Sequence, residues 1–159
     1  MLRVRFLAIF GVFVTALVLA VPVLASPPTA GTGTGTITSV SITPVRSAGG
    51  NVTQERDLQG SIAGDLSGTF TEHVRGVIHK TGLLTFQGTM TFTGTVAGCG
   101  SGTVTLALSG HRDAAAPVTE STASVRVIDA ASNTIAVKGV GTVYQNGTAL
   151  TYDVQYHCK

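Results

Sequence analysis

From Ile37 onward apolar and polar residues alternate in short stretches, and nowhere do apolar residues recur at helical spacing, so the pattern predicts strands and no helix. The alternation is cleanest at Met90, Phe92 and Val96, with Gly94 on the same side and Thr89, Thr91, Thr93 and Thr95 opposite. One face of this strand is apolar and the other is a ladder of threonines, which predicts burial of the apolar face. The same reading gives Val104, Leu106 and Leu108 after the Gly98 to Gly102 turn, then Ala123, Val125 and Val127. It also gives Ile135 and Val137 after Ser132-Asn133, and Leu150, Tyr152, Val154 and Tyr156 after Asn146-Gly147. Earlier segments near 37–43, 52–62 and 66–78 add further strands, separated by Ala48-Gly49-Gly50 and Gly64-Asp65.

These strands make an all-β domain. About eight antiparallel strands without a covering helix must stack as a sandwich or close as a barrel, and closure removes exposed edges. The reading is a single closed antiparallel β-barrel, with a β-sandwich as the alternative. Gly-Thr dipeptides such as 68–69, 88–89, 94–95 and 141–142 suit the bends and coiling that closure needs. The predicted lining is Phe70, Val74, Phe86, Met90, Phe92, Leu106, Val125, Val127, Tyr152 and Val154.

The N-terminal part reads differently. Arg3 and Arg5 precede an apolar run from Phe6 to Val21, and Val23 and Ala25 supply small residues before Ser26. This is the layout of a secretory signal peptide over residues 1–25, the alternative being an uncleaved membrane anchor. Residues 26–36, with Pro27, Pro28 and Gly31-Thr32-Gly33-Thr34-Gly35-Thr36, have the composition of a flexible linker, which leaves 37–159 for the barrel. Loss of Arg3 and Arg5 leaves Lys and Arg equal in number to Asp and Glu, and the remaining cations are scattered, so a nucleic-acid partner is excluded. Cys99 and Cys158 are the only cysteines, and in an exported chain an even count reads as a disulfide.

The stretch Gly64-Asp65-Leu66-Ser67-Gly68-Thr69-Phe70-Thr71-Glu72, followed by Phe86-Gln87-Gly88, Thr91-Phe92-Thr93-Gly94-Thr95-Val96 and Gly100-Ser101-Gly102-Thr103, resembles a family of uncharacterised bacterial secreted proteins with an allene-oxide-cyclase-like barrel. The resemblance implies a short, closed, eight-stranded barrel with a cavity. It does not imply cyclase activity, because that enzyme's catalytic residues have no matching positions in this chain.

Candidate chemistry sits where a charge breaks the apolar face. In Phe70, Glu72, Val74, Gly76 and Ile78, strict alternation points Glu72 inward, and in Val52, Gln54, Arg56 and Leu58 it points Arg56 inward. An internal Arg56 and Glu72 pair is either a structural ion pair of the core or the polar end of a ligand cavity. On the second reading Arg56 holds an acidic head, Gln54 assists, Phe86, Phe92 and Tyr152 line the apolar part, and Glu72 is the candidate general acid or base. His73, Arg75 and His79 lie on the opposite face and read as a solvated strand surface, so no metal site is expected, and nothing calls for a cofactor. There is no Gly-x-Ser-x-Gly elbow and no Walker lysine. Asn51-Val52-Thr53 and Asn146-Gly147-Thr148 are formal glycosylation sequons.

The function expected from the sequence is therefore binding of a small apolar or amphipathic ligand inside an exported, non-enzymatic barrel. An isomerase or cyclase, or an interaction domain with a packed core, are the alternatives. Cavity volume separates the last from the others.

Overall fold

The computed structural model describes residues 27–117 and 119–159. The expected signal peptide, residues 1–25, lies outside the described residues. The strands are β1 (Thr29–Ala48), β2 (Asn51–Gly64), β3 (Leu66–Ile78), β4 (Leu84–Val96), β5 (Gly100–Arg112), β6 (Glu120–Val127), β7 (Val137–Asn146) and β8 (Ala149–Cys158). Each pairs antiparallel with the next, and β8 returns to β1, so the sheet is a closed barrel and not a sandwich. The expected lining is inside: Phe70, Val74, Phe86, Phe92, Val125, Tyr152 and Val154 are buried, with Met90, Leu106 and Val127 packed against them.

The linker expected at 26–36 is corrected by β1, which begins at Thr29. Thr29 to Thr36 pair with Tyr156 to Ala149 of β8, so the Gly-Thr run closes the barrel. Its period of two is that of a strand, with exposed β-branched threonines outside and Gly31, Gly33 and Gly35 inside. Gly31 and Gly33 are needed because aromatic rings from β8 occupy the space above them, while Gly35 lies under Ile62 and Leu150. A Cβ on Gly31 would lie 2.8 Å from the Tyr156 ring, and one on Gly33 would fall inside the Tyr152 hydroxyl. The same apposition recurs where Gly60 faces Phe70 and Gly110 faces Phe86. Large rings set against bare backbone fill the barrel.

Tyr152 also ties two elements together. Its hydroxyl accepts from Leu66 N at 2.9 Å and lies 3.1 Å from Leu66 O and 3.3 Å from Ala63 O, holding the β2–β3 turn against β8. Tyr152→Phe leaves the Leu66 N–H without its acceptor, and the expected loss is about 1–2 kcal/mol of stability in urea unfolding. An unshifted midpoint would show that the hydroxyl does not hold the turn.

β7 starts at Val137, two residues later than the expected strand, and Ile135 is buried in the segment before it. That segment completes β5 where β6 does not reach. Thr134 N donates to Thr103 O at 2.9 Å, and Thr105 N donates to Asn133 Oδ1 at 2.8 Å. The Cys99–Cys158 disulfide joins the β4–β5 turn to the end of β8, with Cα atoms 5.2 Å apart.

Candidate functional site

The two inward charges depend on register. β2 and β3 pair without interruption from Val52↔Ile78 to Ile62↔Gly68, so Leu58 lies opposite Glu72 and Arg56 opposite Val74. The register shifts fall in β1, at Ile37/Ser39 and Pro44/Arg46, and leave the faces of β2 and β3 intact. Gln54, Arg56 and Glu72 therefore share the inner face. β1 beyond Thr36 has no β8 partner, so Val40 and Ile42, which pair with Leu58 and Arg56, stay exposed beside Arg56 at this end of the barrel.

Arg56 and Glu72 do not form a close ion pair. The ion pairs among the described residues are His73–Asp57, His111–Asp113 and Lys159–Asp129. The inner pair instead interacts through the field across the interior. Burial pushes the Glu72 carboxyl up from 4.5 to about 7, against an opposing pull from Arg56. Burial likewise lowers the Arg56 guanidinium from its ordinary range, Glu72 opposes that shift, and Arg112 adds to it. Arg56 Nε is buried and has no hydrogen-bond partner. Arg112, which was not singled out from the sequence, reaches the same end of the barrel from β5 and donates to Gly82 O at 3.3 Å.

The interior holds very little space. Glu72 and Phe86 line a cavity of about 30 Å³ together with Ser121 and Gln145. Phe92 lines a second, wholly apolar cavity of about 40 Å³ with Val104, Val127 and Tyr156. Each has room for about one water molecule, whereas ligand pockets run to roughly 300–1,000 Å³. Of the six ligand candidates, Glu72 and Phe86 meet in one cavity and Phe92 is in the other. Gln54 and Arg56 lie toward the end of the barrel, and Tyr152 is engaged with the β2–β3 turn.

Sequence reasoning missed Ser121 and Gln145. Ser121 Oγ donates to Gln145 Oε1 at 3.1 Å, and Gln145 Nε2 donates to Gly147 O at 2.9 Å. Ser121 is two residues before Ala123 on the inward face of β6, so running the alternation backward would have found it. Gln145 sits on the part of β7 that the short Ile135–Val137 reading did not reach.

The outer wall has the larger concavity. An open groove of about 980 Å³ crosses β3 to β7, with His73, Arg75 and Gln87 on one side, Arg126 and Val140 on the other, and Ala107, Ser109 and Ser124 between. His73 Nδ1 is 2.7 Å from Asp57 Oδ1, and that hydrogen bond raises the imidazole above its usual range. His79 Nε2 is 3.1 Å from Thr85 Oγ1.

No family model matches the chain, and no curated protein matches it in sequence. Solved structures do share the fold. The chain is similar to a protein of unknown function of the DUF3224 family from Shewanella oneidensis, with a TM-score of 0.62 and 16% identity over 83% of this chain and 98% of that one. It is also similar to a conserved protein of unknown function from Rhodopseudomonas palustris, with a TM-score of 0.53 and 16% identity over 84% of this chain and 100% of that one. At this identity the likeness concerns the barrel alone.

Proposed function

We propose that the chain is an exported, non-enzymatic β-barrel that binds its partner on the outer wall and uses its interior as a packed core. The observation that carries this reading is the contrast in volume, about 30 and 40 Å³ inside against about 980 Å³ outside. The expected interior ligand would need several times the space that the glycine and aromatic pairs leave. Export is supported by the N-terminal pattern of residues 1–25 and by the disulfide, which suits an oxidising compartment. Cleavage before Ser26 would leave β1, which starts at Thr29, whole.

A second reading, general acid–base catalysis, is favoured by one observation, the Glu72 carboxyl at about 7. It requires the barrel to open, since the Glu72 cavity admits only a molecule the size of water. Native mass spectrometry of protein purified from its host without delipidation tests both. The expected spectrum shows the chain from Ser26 with no retained small molecule. A bound mass that disappears in Arg56→Ala would overturn the packed-core reading and restore the interior site.

A further inference from the structure

Although the barrel closes, β1 keeps a bare edge over its second half. Its last bridge to β8 is Thr36↔Ala149, and Ile37 N still donates to Thr148 O at 2.7 Å. From there β1 runs on to Ala48 with only β2 beside it. Such an edge offers main-chain N–H and C=O groups to another strand. It also carries apolar surface. Of the large apolar residues exposed among the described residues, Val40 (47%), Ile42 (53%) and Val45 (44%) lie on this segment, and the others, Val140 and Tyr144, lie on β7.

Two bulges set the length that a second strand can use. The register shifts at Ile37/Ser39 and Pro44/Arg46 bracket a regular stretch, residues 39–43, and Pro44 closes its far end because it has no N–H to give. The stretch is Ser-Val-Ser-Ile-Thr, in which hydroxyl and aliphatic side chains follow the same order in both directions. An interface between two copies related by a two-fold axis needs that self-complementarity. With the axis at Ser41, Ser39 meets Thr43 of the second copy, and Val40 meets its Ile42 on one face, twice over. No charged residue lies between Ile37 and Val45 to repel its counterpart. The next residue, Arg46, has no ion-pair partner among the described residues. The same register carries it to Thr36 of the second copy, where β8 already fills the ladder, so the incoming chain has to leave the ladder at its own bulge. Arg46 then comes over the outward row Thr36–Ala149–Asn146–Glu120, which ends in a carboxylate.

We propose that two copies of the chain associate through this edge, residues 39–43 of one pairing antiparallel with residues 39–43 of the other and joining the two β1–β2 hairpins into one four-stranded sheet. Five residues a side bury less than the roughly 1,200 Å² of a standard stable interface, so the expected state is a reversible dimer that forms as concentration rises. This edge is separate from the outer groove, and the inference does not depend on the reading of that groove.

The test is sedimentation velocity of protein purified from its host, at micromolar and at near-millimolar concentration, where a shift from monomer toward dimer is expected. Ser41 is exposed on the outward face, so Ser41→Lys should leave the thermal midpoint in place while setting two like charges at the axis and weakening the dimer about tenfold. A residue on the axis meets its own counterpart at a spacing that a disulfide can span. Mild oxidation should therefore link Ser41→Cys into dimers about ten times faster than Ser39→Cys, which meets Thr43 instead. Arg46→Glu should weaken the dimer, and adding Glu120→Arg should restore it. Monomer at both concentrations overturns the proposal and leaves the edge to a strand of a different protein. Equal crosslinking of the two cysteine variants overturns it too, as does a dimer that Ser41→Lys does not weaken, because the contact then lies elsewhere. Failure of Glu120→Arg to restore the dimer rejects this register and the proposal with it.

Discussion

Replacing Cys99 and Cys158 together by serine is expected to lower the unfolding free energy by about 4 kcal/mol. The disulfide links positions 59 residues apart, a loop that comprises β5, β6, β7 and β8. Cutting the link frees that loop in the unfolded chain, and the chain-entropy model assigns the loss mainly to that state. The folded state changes less, because the same junction keeps a second tie. The Tyr156 hydroxyl donates to Ala97 O at 3.0 Å, beside Cys99. The Cys158 end of β8 also remains paired with Val137. Urea unfolding of the variant, and of the reduced wild-type chain, should show a lower midpoint and a steeper slope, because the freed unfolded chain exposes more surface. A change of less than about 1 kcal/mol in both would mean that the unfolded chain retains enough structure to make the link redundant.

Glu72→Gln is expected to stabilise the barrel above neutral pH. In the folded protein the Glu72 carboxyl titrates at about 7, against 4.5 for an unperturbed glutamate. The folded state therefore holds the extra proton between these values. The contribution of Glu72 to stability is fully present below about pH 4.5, is lost as pH rises through about 7, and stays level beyond. The whole window corresponds to roughly 3 kcal/mol. Glutamine keeps the shape and carries no charge, so the variant should match the wild type at pH 4 and exceed it at pH 8. The attraction to Arg56 is already contained in that window, since the carboxyl sits at about 7 with Arg56 in place. Denaturant unfolding at pH 4, 6 and 8 checks this. Parallel pH dependence in the two proteins would show that Glu72 is ionised without cost in the folded barrel.

Much of the fold could be read from period-two alternation because each strand buries one face. That logic put Arg56 and Glu72 inside correctly, since their ladder is uninterrupted. It failed at Gly31 to Thr36, where the alternating partner of threonine is glycine and the pattern has no apolar residue to announce a buried face. Gly31 and Gly33 make sense only beside Tyr156 and Tyr152, more than a hundred positions later in the chain. Cavity volume was hidden for the same reason. Alternation tells which side chains point inward, while the space left among them depends on which ring meets which glycine across the ladder. The outer groove was hidden too, because Arg75 on β3 and Arg126 on β6 become neighbours of one concavity only through the registers of the strands between them.

The pairing of glycines with aromatic rings has a consequence for how sequences of this barrel can diverge. A ring and the bare position beneath it share one allotment of space, so enlarging Gly31, where an added Cβ would meet side chains alone and the Tyr156 ring first, is tolerated only if Tyr156 shrinks in the same lineage. Substitutions at such sites should travel in couples separated widely along the chain, each single step being deleterious and each double step nearly neutral. Drift of this kind erodes positional identity while leaving the barrel wall in place.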